Sequence, residues 1–187
     1  MSDKERLYDE FLVASARAGE RAAFNALAAR WEVRLFRHAW RLIGDAEEAR
    51  DIAQDAWASI ASGLRRLDDS AAFSAFAFRI VTRRAADSIR RSKRLRATRA
   101  AFAADPSARA ATIETPDASV TAARLNRALA GLPPDQRAAI ALFYLEDMSI
   151  AEIAAALDVP AGTVKTRLMA ARDKLKVALG SDEGEDR

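Results

Sequence analysis

Apolar residues recur every three to four positions along most of this chain, and that spacing restricts it to helices packed by their stripes. Between 22 and 43 the stripe runs Phe24, Leu27, Ala28, Trp31, Leu35, Ala39 and Leu42, one side of a helix. Gly44-Asp45 supplies a stop and then a cap. A second helix, about 46–62, carries Ala49, Ile52, Ala53, Ala56, Trp57 and Ile60 on one side. At ~100° per residue, Glu48, Asp51 and Asp55 fall together on roughly the opposite side. Gly63 ends that helix, and a polar connector, 64–70, leads to a third over about 71–94. The third helix is expected to bury Phe73, Phe76, Ala77 and Ile80, with Arg79, Arg83, Arg90 and Arg94 on a separate stripe.

Residues 95–119 break the periodicity with Pro106, Pro116 and scattered Ser and Thr, and read as a flexible linker. Fully extended, such a segment reaches on the order of 80 Å, so the domains it joins need not touch. Beyond it Ala122, Leu125 and Leu129 stripe one helix, and Gly131 closes it. Pro133-Pro134 suits the first turn of the next, striped by Ala138, Ala141, Leu142 and Leu145. The expectation is an all-α chain of two small helical domains. They span 1–94 and 120–179, with the linker 95–119 between them and an acidic tail, 180–187, expected to be disordered. Composition agrees: half the residues are hydrophobic, only 7% are aromatic, and alanine dominates, which favours helices over sheets.

A formal net charge of only +3 hides segregation. Asp45, Glu47, Glu48, Asp51 and Asp55 stand against the single Arg50 over 44–57. Eleven Arg and Lys stand against Asp68, Asp69 and Asp87 over 64–99. The basic block suggests a polyanion partner, most simply nucleic acid, with a solvated helix face as the alternative. The acidic block cannot meet the same phosphates and must face something else.

Without cysteine there is no disulfide, thiolate zinc site or Cys nucleophile. His38, the one histidine, lies beside Trp31 and Leu35 and reads as a packing residue, and the seven glycines are scattered with no phosphate-cradling loop. Neither an enzyme, a metal site nor a cofactor is expected. The start, Met1-Ser2-Asp3-Lys4-Glu5-Arg6, has no apolar signal core, and a cytoplasmic protein is expected.

Residues 150–168 fit a helix-turn-helix. Ser149-Ile150-Ala151-Glu152 is a capping box. Ile153, Ala154 and Leu157 are expected to face the core, with Val159 plugging the turn and Val164 the second helix. Asp158 stands where such turns commonly use Gly, and Asp tolerates the left-handed region. The second helix, about 161–179, presents Thr163, Lys165, Thr166, Met169 and Ala170 outward, with Arg167 and Arg172 at its flanks. Such residues suit base edges and phosphates in a major groove. A purely structural hairpin is the alternative.

In this order the pieces resemble a bacterial extracytoplasmic-function (ECF, group IV) RNA polymerase sigma factor of the sigma-70 family, over about 22–179. Asp51-Ile52-Ala53-Gln54-Asp55-Ala56-Trp57 resembles the core-polymerase-binding segment of region two. Phe73 to Ile80, followed by Asp87-Ser88-Ile89-Arg90-Arg91, resembles the promoter-opening segment. Leu132 to Arg137, Met148 to Ala154 and Gly162 to Arg172 resemble region four. The resemblance implies an alternative sigma factor that binds core polymerase, directs it to two-element promoters and helps open the DNA, under an anti-sigma factor. No cofactor and no small-molecule substrate is implied.

The resemblance also implies residue roles. Glu48, Asp51, Gln54 and Asp55 dock on a coiled coil of the polymerase's largest subunit. The side of Leu142, Phe143 and Leu145 is a candidate for gripping the polymerase flap. Residues 64–73 form a pocket for a flipped base of the minus-ten element, and Arg65, Arg66, Arg79, Arg83, Arg84 and Arg90 hold the strand. Thr163, Lys165, Thr166, Arg167, Met169 and Arg172 read the minus-thirty-five duplex. Two positions depart from the family's common pattern. Phe76 stands where Trp is frequent and is expected to be core. Arg83 stands where Asn is frequent, and Arg prefers guanine edges or phosphates.

Two other classes compete with this reading. A dimeric helix-turn-helix repressor needs neither the acidic helix nor the basic third helix. A decoy that only sequesters an anti-sigma protein has no use for Arg79, Arg90, Lys165 or Arg167.

Overall fold

A computed structural model of the protein describes residues 3–102 and 120–180. The described residues form α-helices joined by turns: α1 (Asp3–Arg17), α2 (Arg21–Ile43), α3 (Ala46–Gly63), α4 (Phe73–Phe102), α5 (Val120–Ala130), α6 (Pro134–Tyr144), α7 (Ile150–Leu157) and α8 (Ala161–Gly180). Two short 3₁₀ turns, Leu64–Arg66 and Ser70–Ala72, lie in the connector between α3 and α4. The greater part of the expected linker and nearly all of the acidic tail lie outside the described residues. Helix α4 continues past the expected boundary at 94 to Phe102, because its arginines and alanines are strong helix formers.

The cap chemistry follows the sequence closely. Gly44 closes α2 at φ 84°, its amide bonded to the Trp40 carbonyl. Asp45 caps α3, its carboxylate accepting from the Glu48 amide at 2.8 Å. Pro134 occupies the first turn of α6, where a missing N–H leaves no bond unmade.

Domain one packs α2, α3 and α4 around Leu27, Trp31, Leu35, Ala39, Ile52, Ala56, Ile60, Phe73, Ala77, Phe78 and Val81, all buried. Trp31 meets Phe73 edge-on at 5.0 Å and Phe78 at 5.6 Å. His38 is fully buried against Phe78, its Nε2 bonded to Thr82 Oγ1 at 2.8 Å. Burial, with a smaller contribution from Arg41, lowers its pKa to about 3, so the ring is neutral.

Helix α1 has no counterpart in the sequence reading. It buries Leu12 and Val13 together with Asp9, whose carboxylate accepts from Arg30 Nε at 2.7 Å and Trp31 Nε1 at 3.0 Å. A carboxylate on the inner face, with Leu7 and Phe11 exposed, inverts the usual amphipathic pattern.

Domain two packs α6, α7 and α8 around Ala138, Leu142, Ile153, Ala156, Val164, Leu168 and Ala171. Its expected stripes need correction in part. Leu125 and Leu145 are exposed, and Ala154 and Leu157 are only half-buried while Ala156 is fully covered. The two domains touch: α7 lies along α4, and α2 meets α5 and α6.

Candidate nucleic-acid interface

The acidic face of α3 follows from the apolar side it opposes. With Ile52, Ala56 and Ile60 buried, Asp51, Gln54 and Asp55 point to solvent. They are not equivalent. The Asp55 carboxylate accepts from Arg84 Nη1 of α4 at 3.1 Å, whereas Asp51 and Gln54 are exposed. Glu48 turns inward and accepts a hydrogen bond from the Ser88 hydroxyl of α4. Gln54 edges a groove of about 390 Å³ between α2 and α3, together with Glu32, Val33, Phe36, Arg50 and Trp57. Val33 is half exposed there, and the buried Trp57 Nε1 has no partner. Sequence reasoning missed Val33 and Phe36, because they lie on another helix and off its main stripe.

On α4 the arginine stripe is as expected: Arg79, Arg83, Arg90 and Arg94 are all exposed. The apolar stripe is rotated from the expected one. Phe78, Val81 and Ala85 are buried with Phe73 and Ala77, while Phe76 and Ile80 are only partly covered. Arg84 is turned toward α3, its Nη2 donating to Ser59 Oγ at 2.8 Å. Arg90 pairs with Asp87 one turn earlier on its own helix. Arg79 Nη2 contacts Asp158 Oδ2 of domain two at 3.0 Å.

The connector is pinned at its start by the buried Leu64, which leaves Arg65 and Arg66 exposed. Asp69 accepts from the Ala71 amide at 2.9 Å and opens the second 3₁₀ turn. A Cβ at Gly63 would fall 2.7 Å from the tip of the Phe76 ring, so glycine lets the connector leave α3 directly over that ring. Phe76 is thus partly covered: it packs against the core and lies beneath Gly63, where the connector begins.

In domain two the capping box forms as written in the sequence. The Ser149 hydroxyl accepts from the Glu152 amide at 3.2 Å, and Glu152 accepts from the Ser149 amide at 2.7 Å. Asp158 sits in the left-handed region at φ 55°, ψ 47°. Helix α8 buries Val164, Leu168 and Ala171, which turns Lys165, Thr166, Met169 and Arg172 outward. Thr163 and Arg167 are half-buried. Arg167 Nε bridges to Asp135 Oδ2 at 3.2 Å, and the Thr166 hydroxyl bonds to the Thr163 carbonyl at 2.9 Å. Arg172 donates to the Tyr144 hydroxyl at 2.9 Å and lies over the rings of Phe143 and Tyr144. Tyr144 is exposed and adjoins the outward side of α8 at Arg172, and the sequence offered only its ring and its place at the end of α6 as signals.

Among the described residues, no group of three or more His, Cys, Asp or Glu is placed to hold a metal ion, and no helix is long and apolar enough to cross a membrane.

Two family models match the chain. Sigma-70 region 2 covers residues 27–95, and Sigma-70, region 4 covers 122–175. The ECF RNA polymerase sigma factor SigM of Mycobacterium tuberculosis (strain ATCC 25618 / H37Rv) is 36% identical over 172 residues, covering 92% of this chain and 85% of that one. The solved structure of CnrH in complex with the cytosolic domain of CnrY matches at TM-score 0.69 and 28% identity, covering 94% of this chain and 99% of that chain. The sigma factor RpoE, co-crystallised with the anti-sigma factor NepR from Bartonella quintana, shares the fold at TM-score 0.69 and 22% identity, covering 88% of this chain and 98% of that chain.

Proposed function

The chain belongs to the ECF sigma factors of RNA polymerase, and on that premise we propose how the work of an alternative sigma factor is divided over its surface. The protein binds core polymerase, directs it to two-element promoters and helps open the DNA, under the control of an anti-sigma factor. It supplies recognition and positioning and makes or breaks no covalent bond. The finer placement is in group IV of the sigma-70 family, working in the cytoplasm.

Core polymerase meets α3. Asp51 and Gln54 are exposed and rigidly based, and charge-assisted bonds to them fix orientation as well as add affinity. The groove beside Gln54 offers Val33, Phe36 and Trp57 as apolar contact to the same coiled coil. Asp55 joins after exchanging Arg84, and Glu48 serves the α3–α4 packing first. Region four adds the flap contact through Phe143 and the exposed Leu145.

Strand capture falls to α4 and the connector. Trapping a melted strand needs cations for phosphates and flat or apolar surface for bases. Arg65, Arg66, Arg79, Arg83 and Arg90 are exposed, and Phe76 lies against Gly63 at the start of the connector. Upstream duplex is read by α8. Lys165, Thr166 and Met169 face the groove, Thr163 and Arg172 lie nearer phosphates, and Arg167 exchanges Asp135 for DNA.

The observation that carries this reading is the juxtaposition, in one chain, of an exposed carboxylate–amide face on α3, an arginine path on α4 and a capped helix-turn-helix with Lys165 and Thr166 outward. A run-off assay with purified core polymerase and genomic fragments tests it. The expected result is a transcript that requires this protein. Silence from every fragment, with anti-sigma binding intact, would favour a decoy and overturn the reading.

A further inference from the structure

A carboxylate is buried between the two domains that neither polymerase docking nor promoter reading employs. Glu146, in the turn between α6 and α7, is 7% exposed. Arg34 Nε donates to its Oε2 at 3.0 Å, and Arg41 Nη1 donates to its Oε1 at 3.2 Å. Both cations stand on α2 of domain one. The Arg34 guanidinium lies over the Trp31 ring at 4.1 Å and the Phe78 ring at 5.7 Å, so aromatic core residues form the floor. A charge taken out of water must be compensated, and the ion pairs that do so here come from the other domain.

A half-buried cation of domain two secures the same contact in the opposite sense. Arg137 of α6 donates through Nη1 to the Arg41 and Leu42 carbonyls, both at 3.3 Å, in the last turn of α2. The carbonyl end of a helix is where its dipole favours a cation. Through Nη2 the same guanidinium holds the Ala130 and Leu132 carbonyls of its own domain. At the rim, Arg6 donates to the Asp147 carbonyl at 2.9 Å, and Arg79 bridges Asp158 at 3.0 Å. Arg79 and Asp158 are largely exposed, and such pairs hold little by themselves. Of the carboxylate pairs between the domains, the buried one is therefore the stronger hold.

We propose that Arg34 and Arg41, floored by Trp31 and Phe78, form a carboxylate-binding notch in domain one, that Glu146 of the same chain is its ligand, and that this latch keeps the helix-turn-helix against α4 and withholds Arg79 from DNA until the domains part. In the closed form Asp51, Gln54, Lys165 and Thr166 remain exposed. Polymerase and upstream duplex can engage a latched molecule, whereas strand capture at Arg79 requires opening. The masking of a DNA contact rests on reading α4 as the strand-holding helix, and the latch does not.

Small-angle scattering of the full chain tests the latch, and a fluorescent random-sequence single-stranded DNA 12-mer tests the masking. The variants are Glu146→Gln and the pair Arg34→Gln/Arg41→Gln, with the exposed Glu20→Gln as a charge-matched control. A compact chain of this length has a radius of gyration of about 16 Å. The expected result is a radius several ångströms larger in Glu146→Gln and in the arginine pair than in wild type. Combining the changes adds nothing further, and helical circular dichroism is unchanged. Affinity for the 12-mer should rise about tenfold if about a tenth of the wild-type molecules are open. A wild-type radius in Glu146→Gln overturns the latch. An expanded Glu146→Gln that binds the 12-mer no better upholds the latch and overturns the masking of Arg79, and with it the strand-holding assignment of α4.

Discussion

His38 sets a pH dependence that the outer surface does not reveal. Its ring is neutral in the folded protein because burial lowers its pKa to about 3, against 6.5 for an ordinary histidine. Between those values the unfolded chain binds more protons than the folded one. The stability held through this group is therefore complete above pH 6.5 and is lost as pH falls toward 3. One differential proton is worth about 1.4 kcal/mol per pH unit in that window. Unfolding free energies from urea titrations at pH 6, 5 and 4 should decline at about that slope in wild type and more slowly in His38→Gln, whose amide can still reach Thr82. Parallel declines would remove His38 as the cause. On α8, Lys165 is exposed and serves no packing role. Lys165→Ala is expected to weaken upstream duplex binding about tenfold, or about 1.4 kcal/mol, with core-polymerase affinity unchanged. An equal loss in both titrations would contradict the division of labour between the domains.

At the scale of the element, α4 shows how a helix between two partners widens its buried arc. Domain one covers one side and α7 lies along another, so Phe73, Ala77, Phe78, Val81 and Ala85 are all inside. A stripe read as 73, 76, 77 and 80 assumes a single partner and comes out rotated. Phe78→Ala should cost about 3–5 kcal/mol in chemical denaturation, within the range for a fully buried aromatic. Phe76→Ala should cost clearly less and should instead impair minus-ten melting, scored by permanganate reactivity of unpaired thymines. If the Phe76 change proves the more destabilising of the two, the ring belongs to the core and not to the connector's floor.

For the whole molecule, the proposed function has two domains on one chain read a promoter as a pair. Each contact raises the effective concentration of the other, and the gain disappears when geometry forbids both at once. With a B-DNA turn of about 10–10.5 bp, inserting about 5 bp between the two elements rotates them to opposite faces. Run-off transcription should then fall by more than tenfold and recover in part on inserting a full turn. Equal output at all spacings would mean that a single domain suffices.

Much of this protein is set by local chemistry, and that part was legible in the residues. The capping box at Ser149 and Glu152, the left-handed Asp158, the Gly44 stop, the Asp45 cap and the arginine stripe of α4 depend on neighbours within one or two turns. Backbone sterics and helical period decide such features wherever the segment sits. Three things depended on groups far apart in the chain. Helix α1 escaped notice because Asp9 is made acceptable inside only by Arg30 and Trp31. The inward turn of Glu48 needed Ser88, and the capture of Glu146 needed Arg34 and Arg41. A buried charge is stable only beside its partner, and only the folded chain brings those partners within reach.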